Sequence, residues 1–347
     1  MKKKKIFELP LDKFINFSLY NKNNGYYMKK KSFGKDGDFT TAPNISRLFS
    51  EMIAIWIISF WQSIGSPKKF NLIELGAGNG EMMKTLIESF ERFPNFFRSC
   101  NFFIFEKSPS LVEIQKNKLN KNKIKWILEI NKINKNPCLF IANEFFDSLA
   151  IKQFKKKQNI WYERYVNFED KDNAFFFEKE IDIKKIEKKI NYKISKNQNF
   201  IEFSQLGFNY LKKISNIIKK YNGGLLIIDY GYNDKKMRNT LQAISDHKFS
   251  KVLKNIFNTD ITHNINFHLL KEIALLNGLH ENLTTQKNFL INMGIKQRAY
   301  ILSKNLSFSE KTNIYYRLER LINEKQMGTL FKVMLIKNKK NKFSLGF

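Results

Sequence analysis

Short apolar runs alternate with amphipathic segments over the first two thirds of the chain. The apolar runs have the length of buried strands and fall at residues 70–75, 102–105, 124–128, 138–142 and 225–229. Segments with apolar residues at helical spacing precede or separate them at residues 10–20, 46–64, 81–93 and 109–119. Strands that alternate with helices are typical of an α/β fold, so the pattern predicts a mostly parallel, doubly wound sheet with helices on both faces.

The pattern changes in two later parts of the chain. Between about residues 155 and 220 the sequence is charged and strand-poor, which predicts a solvated insertion; contact with a membrane or nucleic acid is the alternative. From about residue 241 a helix at 267–276 is followed by a strand at 330–336. We therefore predict an N-terminal helical region at 1–66, a core with the charged insertion at 67–240, and a C-terminal helical region with closing strands at 241–347.

The composition indicates a folded protein and leaves the meaning of its charge open. The 347 residues are 43% hydrophobic, which suffices for a substantial core and excludes a disordered chain. Lys and Arg number 61 against 32 Asp and Glu, and the net charge of +29 would attract nucleic acid, anionic lipid or acidic proteins. The basic residues are spread evenly along the chain, so drift in composition is favoured over a dedicated binding surface.

Neither a metal site nor a membrane segment is expected. Cys100 and Cys138 form no close pair, and the four histidines lack the spacing of metal ligands. The apolar run at 52–61 is about half the length needed to cross a bilayer. At the N-terminus, charged residues interrupt the chain before a signal-peptide core can form. We therefore expect a cytoplasmic protein.

The sharpest chemical signal is a glycine-rich segment between a predicted strand and a predicted helix, Glu74-Leu75-Gly76-Ala77-Gly78-Asn79-Gly80. Glycines allow a tight turn that brings backbone amides and a helix N-terminus close to a ligand. Glu74 suits the cationic amino acid end of S-adenosylmethionine and would repel a pyrophosphate. Glu106 ends the next strand, where acidic residues bind ribose hydroxyls in related folds. Together these residues indicate a class I methyltransferase site; the alternative is a structural turn with two surface acids.

A second cluster, Asn143-Glu144-Phe145-Phe146-Asp147, follows a predicted strand and so belongs at the edge of the sheet where ligands collect. In nucleic-acid amino methyltransferases of this fold, an Asn/Asp-Pro-Pro-aromatic loop usually stands here. Glu144 and Phe145 replace those prolines, and a carboxylate beside aromatic rings suits a guanidinium or ammonium group. The alternative is an acidic helix cap at Asp147 with phenylalanines in the core.

A third cluster, Gly37-Asp38-Phe39-Thr40-Thr41-Ala42-Pro43, combines a fixed loop with polar side chains. Glycine and proline set the loop, while Asp38 and two hydroxyls offer polar contacts. A lid over a charged ligand and a turn that starts a helix are equally consistent with this composition.

Taken in order, these clusters resemble the MidA-like S-adenosylmethionine-dependent methyltransferases. That family includes the mitochondrial arginine methyltransferase needed for assembly of respiratory complex I. The similarity runs over nearly the whole chain, and its most specific segments are residues 37–43, 74–80, 143–149, 223–231 and 240–243. Several such segments in the same order are far more specific than one glycine turn.

The resemblance implies a Rossmann-like class I methyltransferase core with an additional, mostly helical region. It implies S-adenosyl-L-methionine as the cofactor, and an arginine in a complex I subunit or its bacterial equivalent as the methyl acceptor. Asp38 and Glu144 would face the substrate as catalytic carboxylates. The residues expected to bind the cofactor are Glu74, Gly76, Gly78, Gly80, Glu106 and Asn143.

The chain departs from the family at positions that concern the substrate. Asn44 and Asn266 stand where the family often has acidic residues, whereas the glycines and Glu106 match. Two other functions stay open: a non-catalytic complex I assembly factor, and an RNA or DNA methyltransferase, which the basic charge favours and the missing Pro-Pro loop disfavours. Nucleic acid and metal are not expected as partners, and a homo-oligomer stays open.

Overall fold

The computed structural model describes residues 7–28, 41–119, 124–168, 173–245 and 248–347, which form two compact units. The strands are β1 Phe7–Pro10, β2 Phe70–Leu75, β3 Cys100–Phe105, β4 Ile124–Ile127, β5 Cys138–Asn143, β6 Lys152–Lys157, β7 Ile160–Phe168, β8 Ala174–Ile181, β9 Phe200–Phe203, β10 Gly223–Tyr232, β11 Gln242–Ser245, β12 Lys248–Ser250, β13 Asp260–Thr262, β14 Ile265–Asn266, β15 Leu279–Thr285 and β16 Phe331–Asn338. The helices are α1 Leu11–Tyr20, α2 Ala42–Ile45, α3 Arg47–Ser63, α4 Glu81–Phe90, α5 Pro94–Ser99, α6 Pro109–Lys118, α7 Ile183–Ile190, α8 Gln205–Tyr221, α9 Phe267–Leu276, α10 Gln286–Asn292, α11 Ile295–Ser303, α12 Phe308–Ile322 and α13 Met327–Leu330.

The larger unit comprises the described residues within 40–145, 212–232 and 269–347 and contains a mostly parallel sheet. Its strands lie in the order β15-β16-β10-β5-β2-β3-β4. The five strands from β10 to β4 are parallel, and β16 is antiparallel to both β10 and β15. Strands β2, β5 and β10 are buried along their whole length, as expected for strands covered on both faces. The predicted Rossmann-like, mostly parallel sheet is confirmed.

The strand order reverses direction at β2, and this reversal positions the candidate site. The next strand along the chain, β3, pairs with one side of β2, whereas β5 pairs with the other side. The connections that leave the carboxyl ends of β2 and β5 therefore diverge. In open α/β sheets, such a reversal leaves a crevice where ligands bind.

Helix α3 forms much of the apolar layer on this sheet. The hydroxyl of Ser46 accepts the N–H of Leu48 and caps the helix at its start. Eleven of the 17 residues of α3 are buried, and the indole of Trp56 donates to the backbone oxygen of Leu345. Helices α10 to α12 contribute further side chains to the same core.

The smaller unit comprises the described residues within 1–39, 146–211 and 233–268. Its main sheet is antiparallel, with the strand order β1-β7-β6-β9 and with β8 paired to β7. The apolar face of α1 packs with Val166 and Phe168 of β7 in a separate core. A short three-stranded sheet of β12, β11 and β13 completes this unit.

The prediction that residues 155–220 are strand-poor is wrong, because half of β6 and all of β7, β8 and β9 lie there. The many lysines obscured the alternating pattern of the strands, and two of these lysines pair with acids. Lys157 Nζ lies 2.6 Å from Glu178 Oε2, and Lys179 Nζ lies 2.7 Å from Glu8 Oε2. Lys179 Nζ also lies 4.9 Å from the ring centre of Tyr165, so lysines pack against aromatic side chains of this sheet.

Among the helices of the described residues, none has the length and apolar character needed to cross a bilayer. The three predicted regions, 1–66, 67–240 and 241–347, stay a prediction.

Candidate functional site

The turn between β2 and α4 depends on three glycines. Gly76, Gly78 and Gly80 have φ values of +67°, +51° and +78°, a region in which other residues are strained. The N–H of Gly76 donates to the oxygen of Phe105 at 2.9 Å, and that of Gly80 donates to the oxygen of Ala77 at 2.8 Å. These bonds fold the turn closely over the end of β2.

Gly76 also leaves space that a side chain would fill. A Cβ atom at this position would lie 2.9 Å from Cδ2 of Phe145, a buried ring in the segment after β5. The two segments that leave β2 and β5 are therefore in direct contact. This close approach explains why glycine begins the turn.

A hydrogen bond between Asn44 of α2 and Asn79 of the glycine turn connects these two segments. The side-chain amide of Asn79 donates to Asn44 Oδ1 at 3.0 Å, and Asn79 Oδ1 accepts the N–H of Glu81 at 3.2 Å. Asn44 in turn donates to Thr41 Oγ1 at 2.9 Å. Asn44, which stands where the family often has an acid, thus stabilises the glycine turn through its hydrogen bond with Asn79.

Glu74 is a buried carboxyl group near the end of β2. Burial raises its pKa to about 8, and the nearby charge of Glu106 adds to the rise. Its Oε2 atom has no hydrogen-bond partner among the described residues, and neither has Oδ1 of Asn143 at the end of β5. Unsatisfied buried acceptors are rare in folded proteins, and these two suit a ligand that carries hydrogen-bond donors and positive charge.

Glu106 follows β3 and is held by three hydrogen bonds. Its Oε1 accepts the N–H groups of Lys107 and Ser108, each at 2.9 Å, and its Oε2 accepts from Gln115 Nε2 at 3.3 Å. Burial raises the pKa of Glu106, and the hydrogen bonds act in the opposite direction. The carboxyl group has a fixed orientation and retains acceptor capacity for hydroxyl groups.

Sequence reasoning missed Gln115, which is fully buried on α6. Its Nε2 also donates to the oxygen of Gly78 at 2.8 Å, and its Oε1 accepts from Trp126 Nε1 at 2.9 Å. The sequence contained a signal for its burial, because Gln115 lies four residues from both Leu111 and Leu119 and so shares their buried helix face. A polar side chain in the buried stripe of a helix requires hydrogen-bond partners.

Glu144 follows the carboxyl end of β5 in an unusual conformation. Its φ is +49°, and its N–H donates to the oxygen of Ile228 in β10 at 2.9 Å. Asn143 Nδ2 lies 3.4 Å from Glu144 Oε1. A non-glycine residue with left-handed φ costs about 1–2 kcal/mol, and such outliers cluster at functional sites.

The other predicted candidates have different outcomes. Asp38 lies outside the described residues. α2 begins at Ala42, directly after Thr41, so the third cluster contains a helix start. No helix begins at Asp147, since the next element is strand β6, whereas Phe145 and Phe146 are buried as expected. The capping alternative for Asp147 is therefore wrong.

Comparison with known proteins identifies the family of this chain. A family model described as "Putative S-adenosyl-L-methionine-dependent methyltransferase" matches residues 52–284. The mitochondrial protein arginine methyltransferase NDUFAF7 of Xenopus tropicalis is 27% identical over 363 residues, covering 93% of this chain and 81% of that protein. The human protein of the same name is 27% identical over 339 residues, covering 90% and 76%.

A solved structure has the same fold. It is that of a superfamily member from Burkholderia thailandensis bound to S-adenosyl-homocysteine, with a TM-score of 0.81 and 20% sequence identity. The alignment covers 98% of this chain and 90% of that one. The predicted MidA-like family, enzyme class and cofactor are confirmed. Since the family model spans well over half of its length, the chain belongs to this family of S-adenosyl-L-methionine-dependent methyltransferases.

Proposed function

We propose that the chain methylates a terminal guanidinium nitrogen of arginine in a protein, and that this protein is a subunit of respiratory complex I. The observation that carries the proposal is the position of Glu144, a half-buried carboxylate held at the carboxyl end of β5 by its own backbone. The relatives named protein arginine methyltransferase support the same acceptor. In this proposal the protein acts in a bacterial cytoplasm, a location that stays a prediction.

Six residues would bind the cofactor. Gly76, Gly78 and Gly80 would allow its close approach to the turn and to the start of α4. Glu106 would accept hydrogen bonds from the ribose hydroxyls. The buried acceptors of Glu74 and Asn143 would receive the cationic amino acid end.

The chemistry requires a carboxylate because arginine is protonated in water, with a pKa above about 12. Bound S-adenosylmethionine supplies an electrophilic methyl group. Glu144 would accept N–H bonds from the guanidinium, fix its plane and concentrate electron density on the attacking nitrogen. Asp38, outside the described residues, is proposed as the second carboxylate. Transfer forms one N–C bond, breaks one S–C bond and releases one proton from the nitrogen.

The test compares Glu144→Gln with Glu180→Gln, a control on an exposed residue of β8. Each variant is incubated with methyl-labelled S-adenosylmethionine and with purified complex I subunits or cell extract. Loss of the carboxylate should lower methyl transfer about 100-fold or more, because such groups typically contribute factors of about 10²–10⁴. Calorimetry should give an unchanged affinity for S-adenosylhomocysteine, and Glu180→Gln should behave as wild type.

The possible outcomes separate the competing functions. Label in protein arginine that disappears in Glu144→Gln supports the proposal. Label in RNA or DNA would instead indicate a nucleic-acid methyltransferase. If Glu144→Gln supports complex I assembly as well as wild type does, the chain acts as a non-catalytic assembly factor.

A further inference from the structure

The side chain of Gln115 connects two segments that would bind the cofactor, and nothing in the sequence motifs assigns it a role. One hydrogen of Nε2 is donated to the backbone oxygen of Gly78, in the glycine turn, at 2.8 Å. The other is directed to Oε2 of Glu106, beyond the end of β3, at 3.3 Å. A single buried amide thus joins the glycine turn to the acid after β3.

Trp126 determines which way this amide faces. Its indole Nε1 lies 2.9 Å from Oε1 of Gln115, and an indole nitrogen can only donate. The oxygen of Gln115 must therefore face Trp126, which leaves the NH₂ group for Gly78 and Glu106. The rotated amide would bring an N–H group against the indole N–H and an oxygen against two acceptors, which is unfavourable.

The amide also completes the set of donors around Glu106. Oε1 of this carboxyl group accepts two backbone N–H groups, and Oε2 accepts the side-chain N–H of Gln115. Leucine would fill the same buried stripe of α6 without the cost of burying an amide. The amide is therefore better explained by the two groups it orients than by packing.

We propose that Gln115 is a positioning residue that sets the geometry of the cofactor site by holding the Glu106 carboxyl group and the glycine turn in one arrangement. Trp126 fixes the amide in the orientation that makes this possible. The inference rests on the proposed contact between Glu106 and the ribose, and it does not depend on the identity of the methyl acceptor.

The test measures the affinity for S-adenosylhomocysteine by calorimetry and the melting temperature of the free protein. Gln115→Leu should weaken binding about ten- to hundredfold, the usual effect of losing a hydrogen bond to a charged group. Gln115→Glu, which keeps the shape and the bond from Trp126 but removes both donors, should weaken it at least as much. Trp126→Phe should have a smaller effect. In turnover, Gln115→Leu should raise KM for S-adenosylmethionine and leave kcat nearly unchanged.

Gln286→Leu is the matched control. Gln286 is also fully buried, and its Nε2 donates to the oxygen of Leu321 at 2.9 Å. This change should lower the melting temperature without altering the affinity for S-adenosylhomocysteine. If Gln115→Leu and Gln286→Leu had equal affinities, the amide of Gln115 would have only a structural role and the inference would fail.

A double variant separates this inference from the assignment of Glu106. Because Gln115 also donates to Gly78, the loss of affinity caused by Gln115→Leu should be smaller, but not zero, when Glu106 is already replaced by Gln. Fully additive losses would contradict the inference. If Glu106→Gln alone bound S-adenosylhomocysteine as tightly as wild type does, the proposed contact between Glu106 and the ribose would be wrong. The proposed role of Gln115, which rests on that contact, would then also fail.

Discussion

Replacing Gly76 by alanine tests whether the first glycine of the turn is required for its close approach to the segment after β5. The substitution adds one methyl group at a φ of +67°, and this methyl would lie 2.9 Å from Cδ2 of Phe145. Optimal carbon separations are about 3.5–4.0 Å, so either the ring or the turn must move. Phe145 is buried and makes an edge contact with Phe105, which limits the movement of the ring.

The expected cost has two parts. A left-handed φ in alanine costs about 1–2 kcal/mol, and an additional methyl group in a packed position typically costs about 1–3 kcal/mol. Together, the backbone strain and the crowding of the added methyl group should lower the free energy of unfolding by about 2–5 kcal/mol. If the turn moves to relieve the strain, the cofactor contacts are lost instead, and each 1.4 kcal/mol corresponds to about a tenfold loss of affinity.

Gly65→Ala and Gly80→Ala separate the cost of backbone strain from the cost of crowding. Gly65 has a φ of +90° with nothing within 4 Å of a Cβ, and the nearest atoms at Gly80 are 3.5 Å away. In both variants only backbone strain should lower the free energy of unfolding, by about 1–2 kcal/mol, whereas Gly76→Ala should lower it further. Urea unfolding and titration with S-adenosylhomocysteine measure both effects. If Gly76→Ala matched Gly65→Ala in stability and wild type in affinity, the close packing of the turn on Phe145 would be refuted.

Further predictions concern three buried polar groups. With a pKa of about 8, Glu74 is mostly protonated at pH 7, and binding the cationic end of the cofactor should release its proton. Calorimetry in two buffers with different ionisation enthalpies should detect this release in wild type but not in Glu74→Gln. Because that pKa lies above the ordinary 4.5, the free protein should lose stability as pH rises from about 4.5 to about 8, and Glu74→Gln should lose less. Burial lowers the pKa of His263 from 6.5 to about 4, so stability should rise as pH rises from about 4 to about 6.5, and urea unfolding of His263→Gln should show a weaker rise. Tyr27 donates to both oxygens of Asp260 at 2.8 and 2.9 Å, and Tyr27→Phe should cost about 1–3 kcal/mol of unfolding free energy.

The parallel strands β2, β5 and β10 of the larger unit were predictable because each is a mostly apolar run. The predicted strand at 70–75 and the predicted helix at 267–276 coincide with β2 and α9. In a parallel sheet covered on both faces, strands are continuous apolar runs, which a lysine-rich composition does not obscure.

The smaller sheet was not predictable from the same pattern. Its strands expose one face, where lysines and acids alternate with apolar residues, and the many lysines resemble a solvated loop. In β7, Trp161, Glu163, Val166 and Phe168 are buried. Glu163 is buried because it pairs with Lys152, whose Nζ lies 2.6 Å from its Oε1. Sequence alone does not reveal that partner.

The candidate site was predictable in part. The acids and glycines at the ends of β2, β3 and β5 follow from their positions after strands, because parallel strands end at one edge. Gln115 could not be assigned in the same way. Its partners Gly78 and Trp126 lie on other elements, and only the folded chain brings them to one amide.

The most direct test of arginine methylation is mass spectrometry of complex I subunits from cells that carry wild type, Glu144→Gln or no copy of this chain. We predict that one arginine carries added methyl mass with wild type and none with Glu144→Gln or without the chain. Arginine methylation that persists without the chain, or that is undiminished in Glu144→Gln, would contradict the proposed reaction at the carboxyl end of β5.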